Sequence, residues 1–407
     1  MRVTTLLNKL LKLQGLWVTG VWFEAQGLVV RVRQRCRLLA CSRCGLRKRG
    51  RASTTTRRWR HLGVWGSHVW LEAEIRRLRC PRCEAVTTEA VPWARHASEF
   101  TTSFEDAVAA LAQKMDKTAV ASLCGISWVT VGAIAERVVV EKLDPQRLSK
   151  LRRIGVDEIS FRKRHRYLTV VTDHDTRRVV WVAEGKSSDV LKTFFREIGA
   201  EACQRIEIVT MDMSEAYRKA VQECLPHAKI AFDHFHIAKL ANEALDEVRR
   251  ELVRAASDED PDAARTIKNT RWPLLHRFEN VPERHVDVLA ALRPHQPLGR
   301  AYLLKETLLE VLRRVVPEPS TALSRWMAWA ARSRLRPFVR LARTLRSHLA
   351  GVLTLLTERV TNGLAEGVNN KIRLLSHRAY GFHSAAPLIA TIFLCCGGIR
   401  LPELQLL

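Results

Sequence analysis

The sequence predicts a mixed α/β protein in which two small N-terminal modules precede a sheet layer that is split by a long helical stretch. Three observations carry this. Two Cys-x-x-Cys knuckles, Cys41/Cys44 and Cys80/Cys83, sit in a β-patterned N-terminal region; a small-residue helix meets a glycine turn at Gly125; and from Leu151 three strand-like runs are followed by alternating helices and strands. A late helix closes the pattern: at the helical period Leu364, Val368, Ile372 and Leu375 line one stripe, and Glu366, Asn370, Arg373 and His377 line a polar stripe beside it.

Composition narrows the class. The 407 residues suffice for two or three domains with their own cores, and 47% hydrophobic content excludes a disordered chain. With 67 Lys and Arg against 42 Asp and Glu the formal net charge is +25, dominated by arginine. A guanidinium fork matches phosphate oxygens, so a polyanion is the expected partner, with a merely solvated basic surface as the alternative. The longest apolar run, Ala385 to Cys396, contains Pro387 and stops at Gly397-Gly398, so it reads as a buried C-terminal element and not a membrane span. Leu6 to Leu13 is interrupted by lysine and reads as an amphipathic helix, not a signal peptide, which makes the cytoplasm the expected compartment. Ten cysteines there imply thiols or metal ligands.

In chain order, residues 1–98 are expected to form a β-rich zinc-binding domain. From Leu16 to Arg37 the clearest alternation sets Leu28, Val30 and Val32 against Val29, Arg31 and Arg33. The two knuckles, separated by a strand-like stretch from Ser67 to Arg79, place Cys41, Cys44, Cys80 and Cys83 as four soft ligands for one structural Zn²⁺, unliganded buried thiols being the alternative, while Cys36 lies outside them. Between the knuckles, Arg47-Lys48-Arg49-Gly50-Arg51 and Arg57-Arg58-Trp59-Arg60-His61 read as a basic loop suited to phosphate or minor-groove contact, or else as a solvated loop. Residues 99–148 are expected to be a helix-turn-helix domain. Ser127 can cap its second helix, and Trp128, Thr130 and Ala133 can project from that helix toward a major groove, two packed helices without a DNA role being the alternative. Cys124 fits its apolar core.

Residues 149–250 and 357–407 are expected to form one domain. Strands are predicted over Ile154 to Ile159, Tyr167 to Thr172 and Val179 to Ala183; Asp173 and Asp175 shape the turn between the last two. A helix from Ser188 to Gly199, a strand from Ile206 to Met211, a helix from Ser214 to Cys224 and a strand from Lys229 to Phe232 follow. Three meandering strands and then alternating helices and strands are the plan of a ribonuclease H-like sheet, in which the first and fourth strands are neighbours and Asp157 and Asp212 sit side by side. Residues 251–356 read as a helical insertion rich in Leu, Ala and Arg, broken at Pro261, Pro282, Pro294, Pro297, Pro317 and Pro319, with Trp272, Trp326 and Trp329 packing its core, stacking on bases being the alternative.

Phosphodiester chemistry is served by two divalent ions a few ångströms apart, and hard Mg²⁺ or Mn²⁺ prefers carboxylate oxygens, so three acids on separate elements suffice. Asp157, Asp212 and Glu366 are such a set. The residues Val156-Asp157-Glu158, Thr210-Met211-Asp212-Met213-Ser214 with Tyr217, Asp233-His234-Phe235-His236, and Thr361-Asn362-Gly363-Leu364-Ala365-Glu366-Gly367 with Asn369-Asn370-Lys371-Ile372-Arg373 resemble the ISL3-type insertion-sequence transposases of the DDE transposase and retroviral-integrase-like superfamily. With the zinc knuckles and the helix-turn-helix, the resemblance covers nearly the whole chain. It implies that Asp157, Asp212 and Glu366 are the catalytic triad, that the N-terminal modules bind terminal inverted repeats in double-stranded DNA, and that the reaction is strand cleavage followed by strand transfer.

Other residues compete for these roles. Asp233 also ends a strand and rivals Asp212, and the family pattern decides for Asp212. Glu158 points to the opposite face of its strand from Asp157 and is expected to pair with an arginine. His234 and His236 either touch the scissile phosphate or pack locally. Arg373, with Lys371 and Asn370 nearby, is the expected phosphate-positioning group, a structural salt bridge being the alternative. Two DNA ends must meet, so a homodimer or larger synaptic assembly is expected. The rival functions are a non-catalytic DNA-binding regulator derived from a transposase and a ribonuclease H-like nuclease without strand transfer.

Overall fold

The computed structural model describes residues 3–11, 15–36, 38–50, 53–64, 66–162, 166–293, 296–313, 317–360, 363–379 and 381–403, apart from the side chains of Leu10, Arg162 and Leu364. Of the residues singled out in the sequence, Leu13, Arg37, Arg51, Pro294, Thr361, Asn362 and the Leu364 side chain lie outside that set. The chain divides into two compact units, one of Met1–Asp144, His377–Tyr380 and Ala386–Leu407, the other of Pro145–Ser376 and Gly381–Ala385.

The first unit opens with α1 (Val3–Leu10) and the hairpin β1 (Leu16–Glu24) and β2 (Gly27–Gln34), then β3 (Leu39–Ala40), β4 (Arg47–Lys48), β5 (Ser53–Val64), β6 (Ser67–Cys80) and β7 (Ala85–Thr88). The main sheet runs β1-β2-β6-β5, with β7 on β6, and only β2 and β6 pair in parallel among these strands. Its core gathers Leu16, Val30, Val32, Trp59, Val69, Leu71 and Trp93, with the Trp59 and Trp93 rings edge to face at 5.3 Å. Along β2, Arg31 and Arg33 are exposed as the alternation predicts, whereas Val29 is buried on their side of the strand. The stretch from Arg57 to His61, expected as a basic loop, is instead the middle of β5. Its Trp59 is 1% exposed and its basic residues are tied down by the rest of the unit.

Three helices follow: α2 (Thr102–Lys114), α3 (Lys117–Cys124) and α4 (Trp128–Lys142). Each starts at an oxygen-bearing cap. Thr101 accepts from the Phe104 amide, Asp116 from those of Thr118 and Ala119, and Ser127 from that of Thr130. Gly125 ends α3 in a left-handed conformation, φ +58°, which glycine adopts without steric cost. Cys124, expected in the core, is half-buried.

The second unit carries the sheet β8 (Arg153–Arg162), β9 (Arg166–Asp173), β10 (Arg178–Glu184), β11 (Ile208–Met211) and β12 (Lys229–Phe232), in the order β10-β9-β8-β11-β12. The first three strands meander antiparallel, and β11 and β12 run parallel to β8. Parallel neighbours need crossover helices, supplied by α5 (Ser188–Arg205), kinked at Gly199, and α6 (Glu215–Cys224). In the turn between β9 and β10 the Asp173 carboxylate accepts from the amides of Asp175 and Thr176, as the turn reading requires.

From α7 (His234–Ser257) the chain is helical: α8 (Pro261–Asn269), α9 (Arg271–Leu275), α10 (Val286–Ala290), α11 (Pro297–Arg313), α12 (Pro319–Arg332), α13 (Arg336–Ser347), α14 (Leu349–Glu358), α15 (Gly363–Arg378) and α16 (Ala385–Cys396). The helical stretch does not bury a core of its own; Val156 and Phe194 of the sheet region share one apolar cluster with Leu308, Trp326 and Leu345. Trp326 is buried and donates its indole N–H to the Leu304 carbonyl, and Trp329 packs against the cluster. Trp272 departs from the expectation and is 64% exposed. The described residues from Ala386 on group with the first unit, where the Gln113 amide donates to the carbonyls of Leu394 and Ile399. No single helix among the described residues is long and apolar enough to cross a membrane.

Candidate active site and metal centres

Parallel pairing of β8 with β11 sets Ile154 beside Val209 and Gly155 beside Thr210. Two residues further on stand Asp157, still on β8, and Asp212, just past the end of β11; both line one cleft, and the Asp212 charge acts on Asp157. Glu366, in the first turn of α15, lines the same cleft, a space of about 740 Å³. The opposite face of α15 is anchored by Ala365, Val368, Ile372 and Leu375, all buried, which aims the Glu366 side toward the strands.

The three acids are held differently. Asp157 accepts from the Glu158 amide at 2.7 Å and from the Asn369 side-chain amide at 2.6 Å. Burial pushes its carboxyl up to about 6; the charges of Asp212 and Asp233 push the same way, while the Glu158 amide and His236 act against them. Asp212 accepts from the Ser214 amide at 3.0 Å, which fixes it at the start of α6.

Asp233 and His236 reach the cleft as well. Asp233 is 4% exposed and caps α7 by accepting from the Phe235 amide, while its other oxygen lies 3.1 Å from His236 Nδ1. That contact raises the His236 pKa above its ordinary value against the opposing effect of burial. His234 is not among the cleft residues; its ring lies against Phe235, 3.9 Å between centroids. Glu158 lines the cleft, and its cation is Lys186, 3.9 Å away, where an arginine was expected. Tyr217, fully buried, meets the Thr169 hydroxyl at 2.9 Å, and burial raises its phenol pKa.

On α15, Arg373 lines the cleft and donates to Asn370 Oδ1 at 3.0 Å, but Asn370 and Lys371 are exposed and do not line it. Asn369 does. Sequence reasoning chose Asn370 and missed Asn369, although i+3 and i+4 from Glu366 both share its face. It also missed the far wall, where Lys239, Asn242, Asp246 and Arg250 of α7 and Arg271 of α9 face the acids.

In the first unit the Sγ atoms of Cys41, Cys44, Cys80 and Cys83 all lie within 4.8 Å of one another, with Cys41–Cys83 at 4.0 Å and Cys44–Cys80 at 3.5 Å. Four thiolates about 2.3 Å from one zinc stand about 3.8 Å apart at tetrahedral geometry, which these spacings match. Among the described residues this is the one cluster of three or more Cys, His, Asp or Glu ligand atoms so close together; the cleft carboxylates are spread more widely.

The expected DNA-contacting residues divide into two groups. Arg58 donates to both oxygens of Glu24 and to Glu72, Arg60 to the Gly125 carbonyl, and Arg57 to the Ser98 carbonyl, so these three brace the unit. Lys48 donates to the Arg79 carbonyl, and Arg47 and Arg49 are exposed. At the start of α4 Ser127 serves the cap, Thr130 is half-buried, and Trp128 and Val129 are about 60% exposed beside Leu123 at 66%.

Comparison with known proteins gives first the class. Residues 154–392, more than half of the chain, match a family profile described as a transposase, and the chain is a DDE-type transposase. Residues 89–139 match the helix-turn-helix domain of transposase family ISL3, and residues 37–83 match the zinc-finger of the transposases of IS204, IS1001, IS1096 and IS1165. The chain is 40% identical over 403 residues to the transposase for insertion sequence element IS1557 of Mycobacterium tuberculosis, an alignment covering 92% of this chain and 89% of that one. It is 31% identical over 377 residues to the transposase for insertion sequence element IS1001 of Bordetella parapertussis, covering 91% and 92%. The chain belongs to the ISL3 family of insertion-sequence transposases.

Proposed function

We propose that Asp157, Asp212 and Glu366 are the catalytic triad of this transposase, that they hold two Mg²⁺ or Mn²⁺ ions, and that the sheet bearing them is ribonuclease H-like. The register of β8 with β11, which brings Asp157 beside Asp212 in the cleft that Glu366 lines, carries the reading. The strand order, with β9 antiparallel and β11 and β12 parallel to β8, is the support for the fold. The donor set fits hard cations: seven carboxylates line one cleft, among them Asp157, Glu158, Asp212, Asp233 and Glu366, and burial pushes the Asp157 carboxyl up to about 6.

When bound, two such ions supply Lewis-acid stabilisation to the attacking and leaving oxygens of an in-line displacement at phosphorus. The protein's own groups do the rest. Asn369 fixes the orientation of Asp157, Asp233 holds His236 at the cleft wall, and Arg373 presents a guanidinium to a phosphate from the Glu366 face of α15. Water attacks the phosphodiester at the element's end and expels a 3′-hydroxyl; that hydroxyl then attacks a target phosphodiester, joining its phosphorus as the target strand's own 3′-oxygen leaves.

The N-terminal modules, near residues 1–98 and 99–148, bind the terminal inverted repeats, with α4 offering Trp128 and Thr130 and the knuckle region offering Arg47, Lys48 and Arg49. One structural Zn²⁺ sits among the four cysteines. Two ends are joined in a homodimer or larger assembly in the cytoplasm, at the nucleoid. The test is Asp157→Asn in the full-length protein: cleavage of an end duplex in Mg²⁺ disappears while end binding remains. Retained cleavage removes the assignment.

A further inference from the structure

Arg250 and Arg271 line both the carboxylate cleft and a second groove beside it, about 500 Å³, formed by α7, α8 and α9. The chemistry of this groove is the reverse of the cleft's. Among the described residues lining it there is no carboxylate, while Arg254, Lys268 and Arg271 bring positive charge and Arg250, 55% exposed though paired with Asp246 at 3.2 Å, adds to it. Arg249 lines it as well, but it is 6% exposed and donates to Asp246 and to the Lys268 carbonyl, so it braces α7 against α8. Trp272 stands in the same groove, 64% exposed, with the Arg271 guanidinium 5.6 Å from its ring centre. An indole this exposed adds little to the core, and its setting among cations next to the cleft asks for a ligand that carries both charge and flat rings.

We infer that the groove binds an unpaired segment of the DNA strand leaving the cleft, with phosphates on Arg250, Arg254, Lys268 and Arg271 and one base stacked on Trp272. The inference rests on the DNA-cutting reading of the cleft given above. Charge complementarity selects a polyanion, and the exposed ring selects an unpaired one. In a duplex each base face is covered by its neighbours, whereas an unpaired base offers its face to an aromatic side chain. A duplex would satisfy the cations and leave Trp272 in water. The groove shares Arg250 and Arg271 with the cleft, so the two spaces adjoin and a strand held in the cleft can continue into the groove.

The test uses the full-length protein without added divalent ions and two probes: a blunt duplex of the element's end, and the same duplex with a short unpaired tail carrying 2-aminopurine. The wild-type protein binds the tailed probe more tightly and quenches its fluorescence. Trp272→Ala loses about tenfold of that affinity, together with the quenching, and leaves blunt binding unchanged. Trp272→Phe keeps most of both, and Arg254→Glu with Lys268→Glu weakens tailed binding and flattens its salt dependence. Undiminished affinity and quenching in Trp272→Ala overturn the inference. Equal wild-type binding of blunt and tailed probes overturns it too, with the DNA reading intact; wild-type failure on both probes takes down that reading and the inference with it.

Discussion

Asn369 of α15 donates its side-chain amide to Asp157 Oδ2 of β8 at 2.6 Å, tying the last helix of the second unit to its central strand. The Asn369 oxygen is buried and accepts no hydrogen bond, so the residue's polar contact is spent on Asp157. A partner that orients a metal-binding carboxylate commonly accounts for ten- to a hundredfold of activity. Asn369→Ala is therefore expected to lower strand cleavage by about 10- to 100-fold without altering end binding, and Asn369→Asp, which sets a carboxylate against Asp157, to lower it further. Unchanged cleavage in both variants would deny Asn369 a positioning role.

Metal analysis of the purified protein should find about one zinc per chain, because the four cysteine sulfurs already stand at tetrahedral spacing. Cys41→Ser with Cys80→Ser is expected to abolish that zinc and to unfold the knuckle region, since a site closed by four thiolates contributes its binding energy to folding. The second unit should keep its far-ultraviolet helical signal in that variant. Zinc retained at full occupancy after both changes would show that other residues hold it.

Period-two and period-3.6 patterns made the strands and the crossover helices legible, and the closeness of Asp157 and Asp212 followed from expecting the first and fourth strands of the sheet, β8 and β11, to be neighbours. What stayed hidden depends on partners distant in sequence. Arg57 to His61 read as a loop because of its charges; in β5 Glu24 and Glu72 neutralise Arg58, and Arg57 and Arg60 donate to the carbonyls of Ser98 and Gly125, partners that only folding brings alongside. Asn369 and Asn370 both lie on the Glu366 side of α15, and only the position of β8 selects Asn369. Trp272 and Trp326 look alike in pattern, but Trp326 finds the Leu304 carbonyl and a core, while Trp272 sits on a five-residue helix facing a groove.

Arg58 separates a structural from a DNA-binding arginine. It bonds Glu24 and the buried Glu72, and these partners raise its own pKa. Arg58→Ala is expected to lower thermal stability by no more than about 1 kcal/mol, because the side chain is about one-third exposed and water screens the pairs. Its end-binding affinity should match the wild type, whereas Arg47→Ala with Arg49→Ala should weaken binding and reduce its salt dependence while leaving stability alone. A loss of affinity in Arg58→Ala at unchanged stability would reverse the assignment.

His61 gives the first unit an acid-sensitive joint. It is 4% exposed on β5, 2.8 Å from the hydroxyl of Thr101, the residue that caps α2. Burial lowers its pKa from 6.5 to about 4. Between those values the unfolded chain binds a proton that the folded chain refuses, so acidification favours unfolding. The stability tied to neutral His61 is fully present above pH 6.5 and is lost as pH falls from there toward 4, by up to about 3 kcal/mol. Urea unfolding followed through the fluorescence of Trp59 and Trp93, repeated across that range, should show the decline, and His61→Gln, which keeps a hydrogen-bonding group but does not titrate, should flatten it. A decline of equal size in His61→Gln would move the acid sensitivity to other groups.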